Sequence, residues 1–245
     1  MRGVAELNKP TGDAFQRARE MLARAIALDP NYVRAHAAVA FSHTMDLLTG
    51  ASTSRADSLK GLETAARTAV ALDPDDSMAQ MVMSFFYTWS EQDALALATA
   101  AQAVSLNLNN AGALGHLGTL LDLVGRHEEG IANLERALRL NPKEPTTAHV
   151  YRSFLARAHL ALGSYEQAAT WARDSLAQRG GYVPARYLLG LALAHLGQTA
   201  EARATLEECE RQQPGFLAQR QDWRPYRDDA LNLHFKEGLR KAGLI

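Results

Sequence analysis

Eight histidines, one cysteine and several clustered carboxylates are the residues of this 245-residue chain that could hold a metal or move a proton. A metal site needs ligands that converge, most simply His-Glu-x-x-His on one helix face. That motif is absent, and the histidines scatter over segments with no shared face. The single Cys209 excludes Cys-rich zinc sites and an intrachain disulfide. Asp73, Asp75 and Asp76 surround Pro74, a pattern that suits turn and N-cap hydrogen bonds better than a paired acid and base. Gly112, Gly115 and Gly118 have no strand before them and the wrong spacing for a dinucleotide loop. No P-loop and no Gly-x-Ser-x-Gly element is present. The expectation is a protein that is not an enzyme, with no catalytic residue, metal or cofactor.

Elements must therefore be read for what they present rather than for what they catalyse. The net charge is -1, with 47% hydrophobic and 22% charged residues, an ordinary globular balance. Alanine is abundant and favours helix, because it loses no side-chain entropy there. A near-neutral chain lacks the basic surface that nucleic-acid binding requires. The mildly basic stretch from Arg211 is interleaved with Asp222, Asp228, Asp229 and Glu237 and reads as solvated surface. The N-terminus has no apolar h-region, so no secretory leader is expected. The longest run without Asp, Glu, Lys or Arg, Ala94 to Leu121, holds Gln102, Asn107, Asn109, Asn110 and His116, too polar for a membrane span. A cytoplasmic chain with no membrane and no nucleic-acid partner is expected.

A tripeptide organises the sequence: Leu28-Asp29-Pro30, Leu72-Asp73-Pro74 and Leu140-Asn141-Pro142, with Leu106-Asn107-Leu108 and Gln212-Gln213-Pro214 in equivalent places. Each ends an amphipathic run, and at the four that carry proline a helix cannot continue through it. Residues 77–110, 111–144, 149–182 and 183–216 are then repeats of 34 residues. Residues 33–76 form a 44-residue repeat with extra chain around Leu48–Asp57, and Pro145–Ala148 is a four-residue insertion. Residues 1–32 are an incomplete first repeat and 217–245 a tail.

Each repeat holds two helical patterns. Leu114, Leu117, Gly118 and Leu121 share one face; Ile131, Leu134, Ala137 and Leu140 share the next, after Gly125. Small residues recur at the eighth place (Ala40, Ser84, Gly118, Ala156, Gly190) and the twentieth (Ala96, Gly130, Ala168, Ala202). Two antiparallel helices would touch there, and a larger side chain would part them.

With its 34-residue period, these small residues, Gly125, Gly163 and Gly197 between helices and the terminal prolines, the chain resembles the tetratricopeptide repeat (TPR) family. The family's tryptophan place carries His36, Gln80, Leu114, Arg152 and Arg186. The resemblance implies an all-α solenoid, a right-handed superhelix of antiparallel helix pairs, and a non-enzymatic scaffold for protein–protein interaction. It also implies that places two, five, nine and twelve of each first helix, which share a face by the i, i+3, i+4 rule, line a concave groove. The groove candidates are Arg34, Phe41, Met78, Met81, Phe85, Thr88, Thr119, Asp122, Arg157 and Tyr187, with Trp89 adjoining. Its first half is apolar, and methionine with aromatic side chains suits adaptable recognition. Two readings fit these residues: they receive a peptide or partner domain, or they pack against the long second repeat and neighbouring helices. The family's carboxylate clamp needs Lys and Asn where Ala37, Phe41, Val82 and Gly115 stand, so a C-terminal carboxylate ligand is not expected.

The ends of such an array need covers. Asp228 and Asp229, the stripe Ala230, Leu231, Phe235, Leu239, and Gly243 predict a C-terminal capping helix. Phe15, Leu22 and Ile26 predict a second helix near the N-terminus, with only Val4, Ala5 and Leu7 to cover it. Either the chain continues upstream in a longer parent, or this end meets a partner, a second copy included. The tail Tyr226-Arg227-Asp228-Asp229 with Glu237 to Leu244, and the opening Arg2-Gly3 with Leu7 to Thr11 and Arg24 to Pro30, resemble the TPR arrays of bacterial class III adenylate/guanylate cyclases. That resemblance implies a regulatory or assembly segment of a signalling enzyme, without its catalytic domain.

Overall fold

The computed structural model describes residues 6–7, 13–49, 52, 54–142, 146–221 and 223–245. Val4, Ala5, Pro145 and Asp222 lie outside them. The described residues are helical, with no strand among them, and form thirteen helices. Two compact units divide the chain, Met1–Leu120 and Leu121–Ile245.

The N-terminal unit holds α1 (Ala14–Leu28), α2 (Val33–Thr49), α3 (Arg55–Leu72), α4 (Ser77–Trp89), α5 (Asp93–Leu106) and most of α6 (Ala111–Leu123). Helix α1 buries Phe15, Ala18 and Leu22 against Ala35, Ala38 and Met45, and Leu7 joins them. Helix α2 pairs with α3 and α4 with α5, while α2 also lies beside α4. The extra chain of the second repeat lengthens both its helices, to 17 and 18 residues against 13 and 14 for α4 and α5.

The C-terminal unit holds the end of α6, α7 (His127–Leu140), α8 (Ala148–Ala161), α9 (Tyr165–Gln178), α10 (Val183–His195), α11 (Thr199–Gln212), α12 (Phe216–Arg220) and α13 (Asp229–Lys241). Helix α8 pairs with α9 and α10 with α11, and α8 lies beside α10.

Local chemistry explains the punctuation. Gly125, Gly163 and Gly197 adopt φ of +86, +70 and +78 and end the first helices of their repeats. There the following amide reaches back to the carbonyl five residues earlier, as Gln198 does to Leu193 at 3.0 Å. The third repeat has no glycine at this place, and Glu91 takes φ 60 instead, a left-handed conformation that costs a non-glycine residue about 1–2 kcal/mol. Asp29, Asp73 and Asn107 each accept the amide two residues on, at 3.1, 3.0 and 3.0 Å, and Asp76 caps α4 through the Ala79 amide. The acidic cluster around Pro74 is turn and cap chemistry.

Small residues at the eighth and twentieth places are buried throughout. Ser84 Oγ donates to the Ala96 carbonyl at 2.7 Å, so the two places meet directly. The family's tryptophan place has its own use here. His36, Gln80 and Arg186 donate to the carbonyls of Pro30, Pro74 and Gly180, each six residues upstream, at 2.9, 2.7 and 2.6 Å. Arg152 reaches the Pro142 carbonyl at 3.3 Å. A polar side chain thus pins the turn between repeats where an indole would fill it.

Candidate functional site

The first-helix face of the N-terminal unit brings together most of the apolar candidates. Phe41, Met78, Phe85 and Trp89 are half-buried around one core cluster that includes Met81. The Phe41 and Phe85 ring centroids lie 6.3 Å apart, and Phe85 lies 4.0 Å from the His116 ring. The Arg55 guanidinium sits 5.1 Å over the Trp89 ring, so the lengthened second repeat does reach this face. Met81 is 2% exposed and belongs to the packing; a Cβ at Gly112 would come within 3.0 Å of its sulfur. Thr88 and Thr119 are half-buried and donate to the Ser84 and Gly115 carbonyls, while Arg34 is exposed.

Beneath this face His116 is buried, and burial holds its pKa down to about 3, with a hydrogen bond to Ser84 opposing. Its Nε2 lies 3.0 Å from Ser84 Oγ, whose own proton goes to Ala96, so the neutral ring donates. A second histidine, His43, packs its ring over Gly61, and its buried Nδ1 has no partner among the described residues.

The C-terminal unit treats its candidates differently. Asp122, Arg157 and Tyr187 are not presented on an open surface: they are 0%, 7% and 1% exposed. Asp122 accepts Arg157 Nε and Nη2 at 3.0 and 2.7 Å, His127 Nδ1 at 2.7 Å and the Tyr226 hydroxyl at 3.1 and 3.0 Å. Burial alone would raise the Asp122 pKa; the Arg157 charge and the hydrogen bonds from His127 and Arg157 outweigh it and hold the carboxyl below its ordinary range. Burial likewise opposes the Arg157 charge, and Asp122 more than offsets it. Tyr187 packs edge-on to Phe216 and Trp223, 5.6 and 6.1 Å between centroids, and its hydroxyl finds no partner among the described residues.

What covers these residues is the tail. Helix α13 packs on the two first helices α8 and α10, over the groove places, rather than merely closing the end of the last repeat. The signal was present in the sequence. Asp122 and Arg157 stand 35 residues apart, one repeat on, so opposite charges face each other on neighbouring first helices.

A polar latch holds the outer side of α13. His195 Nε2 donates to the His234 carbonyl at 2.7 Å, and its Nδ1 accepts from Lys241 at 3.3 Å. Tyr165 stacks on His195 at 4.1 Å and hydrogen-bonds His234 Nδ1 at 2.9 Å. Burial depresses the His195 pKa first; Lys241 and His234 add to that, while the His234 carbonyl and Glu237 oppose it. His234 is also depressed, by burial and then Lys241. A released α13 would return both to near 6.5. The released form therefore takes up protons first as pH falls, and docking weakens from about pH 6.5 downward until the docked pKa values are passed. Above pH 7 these groups give no dependence. Hydrogen exchange at the α13 amides should thus speed up between pH 7 and 5 relative to α9, after correction for intrinsic rates. His195→Gln, which keeps a donor without the titration, should flatten the slope.

No described group of histidine, cysteine and carboxylate side chains is placed to hold a metal. Cys209 is buried, with its thiol pushed up to about 12 by burial, and serves as a small core residue. No helix among the described residues is long and apolar enough to cross a membrane.

Helix pairs of this length and punctuation, closed by small residues at the eighth and twentieth places, define an all-helical TPR-like repeat protein with a solenoid fold. Folds of this type are commonly protein-interaction scaffolds and typically carry no catalysis. A family model described as anaphase-promoting complex, cyclosome, subunit 3 matches residues 126–209. Among solved structures, the Cut9–Hcn1 hetero-tetramer of the APC/C matches with a TM-score of 0.70 at 16% identity, over 93% of this chain and 40% of that one. The chain therefore spans well under half of that relative. YrrB, described as a TPR protein with an unusual peptide-binding site, matches with a TM-score of 0.54 at 19% identity, over 89% of this chain and 99% of that one. A TPR protein of Thermus thermophilus matches with 0.56 at 21%, over 74% and 91%. Among curated proteins nothing matches. At these identities the likeness is one of fold.

Proposed function

We propose that the chain is a non-catalytic protein-interaction array, and that the apolar first-helix face of its N-terminal unit takes an apolar stretch of a protein partner. The observation that carries this is Phe41, Met78 and Phe85 on groove places, with Trp89 adjoining, all half-buried around one core cluster. Contiguous aromatic and methionine surface of this kind is typical of contact sites. The fully buried Met81 supports the face from below.

The test follows from this burial. A charge at Met81 would disrupt the core and lose binding for a trivial reason. Met78→Ser with Trp89→Ser removes half-buried contact surface and leaves the core cluster intact. Affinity capture with mass spectrometry on the full chain should then lose its specific partner by tenfold or more, at unchanged helical circular dichroism. Equal recovery of the same partner by the double variant would refute the proposal.

A further inference from the structure

The tail of the C-terminal unit sits where a bound helix would sit. Phe235, Gly238 and Leu239 on α13 and Ala242 at its C-cap are spaced i, i+3, i+4 and i+7, and all are buried. This is the anchor pattern of a helix lying in a groove. Gly238 sets the depth of contact. A Cβ there would stand 3.0 Å from Leu191 Cδ2, 3.1 Å from its Cβ and 3.3 Å from its Cα, so backbone nearly meets backbone. Leu191 is the ninth place of its repeat, a groove place, and so is Arg157, which meets the preceding loop through Tyr226 and Asp122. The other side of α13 is exposed, with Leu233 63% accessible. Arg224, Arg227 and Asp228 in the connection before it are exposed too.

We propose that the first-helix groove of the C-terminal unit is a receptor for an amphipathic helix with an aromatic residue at i, glycine at i+3, leucine at i+4 and alanine at i+7, and that α13 is a built-in occupant which such a helix replaces. The inference rests on the reading of the chain as a protein-interaction array, but concerns a separate surface. The occupant argues for the partner's chemistry, since only a helix without a side chain at i+3 can approach Leu191 this closely. The latch around His195 and Lys241 holds the register by binding one backbone carbonyl, that of His234, and one cation. It asks of an incoming helix a basic residue six places beyond its anchor, as Lys241 lies beyond Phe235, and a hydrogen-bonding side chain for Tyr165 one place before the anchor, as His234 supplies.

A fluorescent peptide of residues 223–245 is the probe, used on the full chain. Wild-type protein should bind it weakly, because the tethered helix competes at high effective concentration. The chain carrying Phe235→Asp and Gly238→Leu, whose own α13 is ejected, should bind at least tenfold tighter, and the peptide with Gly238→Leu should bind neither protein. Hydrogen exchange on the double variant should show α13 released while α8 and α10 keep their protection. The proposal is overturned if the released groove ignores the wild-type peptide. It is also overturned if α13 stays protected, or if α8 and α10 lose protection with it, since the tail is then a fixed part of the core. Loss of partner capture on Met78→Ser and Trp89→Ser concerns the other unit, so either reading can fail without the other.

Discussion

Asp122→Ala is expected to lower the stability of the C-terminal unit by about 3–5 kcal/mol, the range for removing one partner of a buried ion pair. The carboxylate is fully buried and every one of its partners is a donor: the Arg157 guanidinium, the His127 ring N–H and the Tyr226 hydroxyl. Removing it leaves a buried guanidinium without its counter-charge, which costs more than the pair itself contributes. Asp122→Asn keeps the shape but turns an NH2 toward donors, so it should recover little. Asp122→Leu with Arg157→Met removes both charges and should recover part of the loss, since the buried His127 N–H and Tyr226 hydroxyl still lack their acceptor. Urea denaturation followed by the fluorescence of Trp171 and Trp223, in a Trp89→Phe background, reads this series. Its acid limb gives a second check. The Asp122 pKa is depressed in the fold, so its stabilisation is fully present above about pH 4, the ordinary carboxylate value, and is lost as pH falls through the folded value. Wild-type protein should lose stability across that window, and Asp122→Ala should lose distinctly less. A fall below 1 kcal/mol for Asp122→Ala would mean that the network contributes little to the tail's position.

The same residue shows where reading a sequence stops. Asp122, Arg157 and Tyr187 stand at groove places by the repeat register. What it did not give was their cover. Places on a helix follow from a period of 3.6 residues, but what lies over a face is set by chain that returns from far along the sequence. Tyr226 meets Asp122 across 104 residues. The stripe Phe235 and Leu239 announced an apolar face for α13 without saying which surface it would meet, and Gly238 marks the answer only when Leu191 is seen beside it. The apolar candidates of the N-terminal unit were legible as a group, because they lie on neighbouring first helices one repeat apart. That Met81 is core while Met78 is half-buried turns on a rotation of three residues around one helix.

Local rules carried the repeat itself. Glycine between helices, Asp or Asn before proline, and small residues at fixed places are short-range constraints, and each appears where its spacing requires. His43, at the eleventh place of its repeat, leaves its buried Nδ1 without a partner among the described residues. Gly61, with no side chain, lets the ring lie on the neighbouring helix. The family's tryptophan place carries no tryptophan in any repeat of this chain. The side chains of His36, Gln80 and Arg186 show a different solution, in which a long polar group ties down the carbonyl that a proline or glycine turn leaves exposed.

The eighth-place rule makes the second large prediction, one whose sign depends on background. A Cβ at Gly190 would fall 2.5 Å from Leu206 Cγ and 2.8 Å from its Cδ2, and 3.4 Å from the Ala202 carbonyl. Leu206 is 0% exposed and has no room to yield. Gly190→Ala gains about 1 kcal/mol of helix propensity, but the overpacking costs about 1–3 kcal/mol or more, so the substitution should destabilise. Leu206→Ala removes the obstacle and costs about 2–5 kcal/mol, the range for emptying a buried leucine site. In that background the methyl of Gly190→Ala enters space the leucine has left, and its helix propensity is no longer opposed. The same substitution should then stabilise, so the double variant is more stable than Leu206→Ala alone. A double-mutant cycle of urea midpoints measures this coupling, expected to favour the double variant by about 1–3 kcal/mol. Additive effects would mean that the α10 and α11 backbones slide apart easily, and that the small residues at this place are there for helix propensity and not for contact.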